Sequence, residues 1–139
     1  MNQLHQKLYV MPQLATEDFA IIAAAGVKII INNRPDNEES GQLNHADAIL
    51  LAQEHGIAYH YLPMANGQAL PVDLVSTFKT IVEASDDPIV AHCRSGMRST
   101  VIWAIGQIED RKMSVDQTIV AANTAGIALE KVRTMLENI

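Results

Sequence analysis

The chain has one cysteine, Cys93, among 139 residues. One cysteine cannot close an internal disulfide, so a reducing compartment is expected. It also leaves no second thiol for a redox pair or a thiolate metal cage. There is no block of basic residues either. Lys and Arg total 10 against 16 Asp and Glu, a formal charge of −6. Nucleic-acid binding is therefore not expected, because neutralising phosphates takes clustered cations. A small anion is not excluded, since it responds to local charge. The most apolar stretch, "FAIIAAAGVKIII", is broken by Gly26 and Lys28 and is too short to cross a bilayer. The opening "MNQLHQKLYV" lacks the apolar centre of a signal peptide. The expected setting is cytoplasmic, with no membrane partner. Repeats, low-complexity segments and linkers are absent, so residues 1–139 are read as a single domain. His45, His55 and His60 show no metal-ligand spacing. Neither a metal nor an organic cofactor is expected.

What the chain does contain is an alternation of two patterns. "KLYV", "VKIII", "IAYHYLP" and "PIVAHC" are short runs rich in β-branched or aromatic residues and read as strands. "VKIII" and "PIVAHC" are almost wholly apolar, as suits strands covered on both faces. Between them lie helical segments. "TEDFAIIAAAG" is expected to start at Thr16 and stop at Gly26. A second helix is expected over residues 42–55, and a third from Pro71. "STVIWAIGQIEDRK" follows the last strand. Ser114 and Gln117 form a capping box for the next helix, and "ALEKVRTMLENI" reads as a closing amphipathic helix. Strands alternating with helices predict an α/β fold: a central, mostly parallel sheet flanked by helices. In such folds ligands sit beyond the carboxyl ends of strands.

The single thiol falls at such a place. "HCRSGMRS", residues 92–99, joins a buried strand to a helix. A loop entering a helix N-terminus turns backbone N–H groups inward and makes a nest for an anion. Arg94, Ser95, Gly96 and Met97 supply those amides, and Gly96 lets the loop curl where a Cβ would obstruct it. Arg98 can grip an oxyanion through two parallel hydrogen bonds. The helix end and the arginines both favour a thiolate at Cys93. Ser99 can donate a hydrogen bond to that sulfur. Cys93, Arg98 and Ser99 are therefore the candidate catalytic residues, with phosphate, sulfate or another small oxyanion as the expected ligand.

"VAHCRSGMRST" resembles the active-site signature of cysteine-dependent protein phosphatases. The element order and the tail "DRKMSVDQTIVAAN" are similar to those of dual-specificity phosphatases. More narrowly, "IIINNRPDNEESGQ" with "CRSGMRS" resembles a bacterial family of phosphatase-like domains, sometimes fused to metallo-β-lactamase-type hydrolases. The resemblance implies a phosphatase-like fold and hydrolysis of phosphate monoesters through a phosphocysteine at Cys93. Two features depart from the phosphatase pattern. Only four residues separate Cys93 from Arg98, one fewer than in the phosphatase signature. That spacing resembles the loop of rhodanese-type sulfurtransferases, which implies a persulfide carrier as the alternative; the other rhodanese segments are missing. Moreover, the loop after the third strand, "PMANGQALP", has Asn66 but lacks the aspartate that serves the dual-specificity family as general acid. Asp36, Glu38 and Glu39 lie on a different loop at the same sheet edge and read as solvated acids. Asp73 reads as a helix-start residue.

Overall fold

In the computed structural model, which describes residues 1–139, strands and helices alternate as expected. Five strands form one sheet: β1 (Asn2–His5), β2 (Leu8–Met11), β3 (Ile29–Asn32), β4 (Ala58–Tyr61) and β5 (Ile89–His92). Their order is β1-β2-β5-β3-β4, with only β1 antiparallel to its neighbour. The helices are α1 (Asp18–Ala24), α2 (His45–Glu54), α3 (Leu74–Ala84), α4 (Met97–Glu109), α5 (Val115–Thr124) and α6 (Arg133–Glu137).

The two-residue period of the central strands sorts their side chains to two cores. Ile31, Ile89 and Ala91 pack with residues of α3 to α6, among them Phe78, Ile102 and Leu136. Ile30 and Val90 face the other way, against Phe19 and Ile22 of α1 and Ala48 and Ala52 of α2. Helices on both faces explain why β3 and β5 carry almost no polar residue before their last position.

Four elements differ from the sequence reading. β1 pairs with β2 in a short hairpin that the polar "NQLH" did not announce, since only Leu4 of its four residues is buried. α1 begins at Asp18, whose carboxylate accepts the Ala15 N–H at 2.7 Å; Thr16 does not cap it. α3 begins at Leu74, three residues after Pro71, because Asp73 takes a left-handed conformation with φ 70°. The closing segment is a 3-10 turn over Leu129–Val132 and then the short α6, which leaves no continuous amphipathic helix. The capping box at Ser114 and Gln117 is formed from both sides. No helix is long and apolar enough to cross a membrane.

Register positions the site. Met11 of β2, His92 of β5, Asn32 of β3 and Tyr61 of β4 form one row across the four parallel strands. All four strands end there, so the loops that follow leave the sheet side by side. The loop bearing Cys93 is flanked by those that begin after Met11 and Asn32.

Candidate active site

Buried polar residues are costly unless partnered, so their location is informative. Thr118 apart, every one lies at this end of the sheet: Asn32, Asn33, Arg34, His92, Arg98, Ser99 and Thr100. None leaves a buried side-chain nitrogen or oxygen without a partner.

The cysteine loop is closed by its own backbone. Cys93 is buried, and its Sγ accepts the Gly96 N–H at 3.1 Å. Gly96 caps α4 with φ 99°, a left-handed conformation that glycine alone adopts freely. A Cβ at Gly96 would sit 3.0 Å from Ile127 Cδ1. The Thr100 hydroxyl donates to the Gly96 carbonyl at 2.8 Å, fixing the first turn. The neighbouring strand loops brace the ring: Asn33 N–H donates to the His92 carbonyl, and Gln13 N–H to the Arg94 carbonyl. The Ser99 hydroxyl donates to Asn33 Oδ1 at 2.8 Å, and Asn33 Nδ2 donates to the Leu62 carbonyl. Ser99 thus ties the α4 start to the loop after β3. Arg94 projects outward with 69% of its side chain exposed, and the Met97 N–H lies 3.4 Å from Ser95 Oγ.

Arg98 is held from a direction the sequence left open. Its Nη1 donates to Glu38 Oε2 and its Nη2 to Glu38 Oε1, both at 2.8 Å. Nη1 also donates to the Met64 carbonyl at 2.9 Å. A guanidinium has five N–H groups, and these contacts use three. The remaining two, on Nε and Nη2, lie along one edge and form a second fork able to take an oxyanion. Glu38 also accepts from Arg34 Nε at 2.9 Å. Arg34 is fully buried and donates from Nη1 to Gln13 Oε1 at 3.1 Å.

The titrations follow from these contacts. The Arg98 hydrogen bonds hold the Glu38 carboxyl down at about 2, against the opposing effect of burial; Arg34 adds to the lowering. Arg98 is raised in turn, mainly by Glu38 and further by Cys93. Burial pushes His92 down to about 4, so its ring is neutral near pH 7. Its Nδ1 lies 3.4 Å from the Cys93 carbonyl, an acceptor that calls for the Nδ1–H tautomer.

Cys93 and Arg98 therefore meet in one ring. The solvated reading is corrected for Asp36 and Glu38, while Glu39 keeps it with 52% of its side chain exposed. Glu38 clamps Arg98 and is ionised, so it has no proton to donate. Asp36 accepts from the His45 backbone N–H and lies 2.5 Å from His45 Nδ1, whose ring stacks on Tyr61. Glu39 faces Arg34 and Arg94 at 3.5 and 3.7 Å. Gln13 escaped the sequence reading; its signal was position, just past a strand that neighbours β5.

A parallel sheet between helix layers, with a cysteine ring between its central strand and a helix, defines a domain of the tyrosine and dual-specificity phosphatase architecture. Tk-PTP in its active form has this fold, with a TM-score of 0.75 over 99% of this chain and 92% of that one, at 13% identity. The family model described as "Beta-lactamase hydrolase-like protein, phosphatase-like domain" matches residues 1–110, and the chain belongs to that family. A candidate phosphatase from Neisseria meningitidis Z2491 is 33% identical, with a TM-score of 0.88 over 99% of this chain and 96% of that one. The beta-lactamase hydrolase-like protein of Xylella fastidiosa (strain 9a5c) is 27% identical over 134 residues, 96% of this chain. The chain spans 31% of that relative's length.

Proposed function

We propose that this domain hydrolyses phosphate monoesters through a phosphocysteine intermediate. The observation that carries the reading is the free edge of Arg98, held by Glu38 beside a buried cysteine whose sulfur accepts a loop N–H. The phosphoryl group sits in the ring, its oxygens on the loop amides and the Arg98 fork. The Cys93 thiolate attacks phosphorus, an S–P bond forms, and the ester P–O bond breaks with its electron pair on the leaving oxygen. Water then attacks phosphorus, the S–P bond breaks, and inorganic phosphate leaves with the thiolate restored. Ser99, whose hydroxyl donates to Asn33 and not to the Cys93 sulfur, keeps the helix start in register during the second step.

Neither Glu38, which is ionised, nor the loop "PMANGQALP", which has no acid, offers a carboxylic proton to the leaving group. The rate therefore depends steeply on the leaving group, with aryl phosphates far ahead of alkyl phosphates. The direct test is turnover of p-nitrophenyl phosphate by the wild type and by Cys93→Ser. Activity that survives Cys93→Ser refutes the mechanism.

The four-residue spacing from Cys93 to Arg98 favours a second reading, a persulfide carrier. Mass spectrometry after incubation with thiosulfate separates the two. A stable gain of one sulfur on Cys93, without phosphate release from any ester, selects the carrier.

A further inference from the structure

Asn33, the first residue after β3, is fully buried, and its main-chain and side-chain polar groups reach three separate segments of the site. Its N–H donates to the His92 carbonyl at 2.8 Å, next to Cys93, and its carbonyl accepts the Met64 N–H at 2.9 Å. Its Nδ2 donates to the Leu62 carbonyl at 2.9 Å, and its Oδ1 accepts the Ser99 hydroxyl at 2.8 Å.

These contacts fix where the Ser99 proton goes. The Leu62 carbonyl only accepts, so it must face the Asn33 NH2 group and not its oxygen. Leu62 is itself held in register, since its N–H donates to the Asn32 carbonyl at 2.8 Å. Oδ1 of Asn33 is thereby turned to Ser99. That oxygen also only accepts, so it takes the single proton that a serine hydroxyl has to give. Asn33 and Ser99 are both 0% exposed, so solvent does not compete for the bond. Ser99 is left with lone pairs alone, and the Cys93 sulfur takes its hydrogen bond from the Gly96 N–H instead. The expectation that Ser99 donates to the sulfur is thereby corrected.

The same residue brackets Arg98. Ser99 follows Arg98 directly in α4. On the other side, Met64, whose carbonyl accepts Arg98 Nη1 at 2.9 Å, is held to Asn33 by its own N–H and through Leu62. Glu38 sets the plane of the guanidinium, while the Met64 carbonyl and the helix start set its position.

We infer that Asn33 is a positioning residue for the oxyanion site, that it aims the free edge of Arg98 by fixing Ser99 and Met64 together, and that Ser99 acts through Asn33 and not on the Cys93 sulfur. The inference rests on the phosphatase reading in one respect, that Cys93 and Arg98 form a single oxyanion site.

The test uses the full chain, inorganic phosphate and iodoacetamide, and requires no turnover. Alkylation of Cys93 is followed against pH without phosphate, then against phosphate concentration at one pH. Without phosphate, the pH curve of Ser99→Ala should superimpose on that of the wild type, since the serine makes no bond to the sulfur. The phosphate concentration giving half-protection should rise about tenfold in Asn33→Ala and about threefold in Ser99→Ala, as suits the loss of buried hydrogen bonds. The double variant should match Asn33→Ala to within about twofold, because both changes remove the same bond. A Ser99→Ala curve displaced to higher pH, half-protection unchanged in either single variant, or single effects that multiply in the double variant would overturn the inference. If Asn33→Ala does not fold, Ser99→Ala decides by itself, and the inference then needs both the superimposed curve and the weakened protection. Wild-type protein that phosphate does not protect would overturn it together with the hydrolase reading. Inactivity on p-nitrophenyl phosphate alone would remove the hydrolase reading and leave the positioning role standing.

Discussion

Replacing Glu38 by Gln probes the clamp on Arg98 without changing its size. The carboxylate accepts two bonds from Arg98 and one from Arg34. An amide keeps one accepting oxygen and turns an NH2 group toward a guanidinium, donor against donor. Lowering the carboxyl from 4.5 to about 2 corresponds to about 3 kcal/mol of stabilisation. The side chain is 22% exposed, and solvent screening brings a realistic figure to about 1–2 kcal/mol. Arg34 and Arg98, both buried, then lack full charge compensation, so the total loss should be about 2 kcal/mol. The sign with pH follows, because the folded carboxyl titrates below its ordinary value. Its contribution is present above 4.5 and is lost as the pH falls toward about 2. Urea titrations of both proteins should thus diverge near neutrality and converge in acid. Catalysis should fall by about 10- to 100-fold in kcat, less than the loss expected from deleting an oxyanion donor outright. Glu38→Asp should restore part of it by returning the charge. Wild-type kcat and wild-type stability in Glu38→Gln would refute the clamp.

His92 gives a second pH signature. Its ring is held neutral by burial with a folded value of about 4, against 6.5 when unfolded, so stability should rise by up to about 3 kcal/mol between these pH values. His92→Asn should flatten that slope in a denaturation series. Gly96→Ala should cost about 2 kcal/mol, because φ is 99° and the new methyl meets Ile127; adding Ile127→Val should recover only the steric part in thermal melts. Phosphate should protect Cys93 from iodoacetamide, and Arg98→Ala should abolish most of that protection. Arg94→Ala should change it by less than about twofold, because Arg94 projects into solvent.

The parts legible in the sequence are those whose information is contiguous. "VKIII" and "PIVAHC" announce buried strands because both faces need apolar side chains, and those strands form the sheet centre. "HCRSGMRS" places a thiol, a left-handed glycine and an arginine within one turn of chain, so the ring is readable as text. Glu38 stands 60 residues from Arg98, and only the order β5-β3 brings their loops together. The position of "NNRPDNEES" after a buried strand put those acids at the right sheet edge. It could not tell a solvated acid from one clamped between two arginines. The edge strand β1 was hidden because a half-exposed strand carries little apolar signal. The late start of α3 was hidden because Asp73 adopts a left-handed conformation that residue type alone does not announce.

In the proposed mechanism Cys93 carries the phosphoryl group between the two steps. Wild-type protein mixed with excess p-nitrophenyl phosphate, quenched in acid within the first turnover and digested, should yield a Cys93 peptide heavier by one phosphoryl group. The modified peptide should be absent from Cys93→Ser and should disappear as substrate is exhausted. Nitrophenol released over many turnovers with Cys93 unmodified at every quench time, or at an equal rate by Cys93→Ser, would contradict the account.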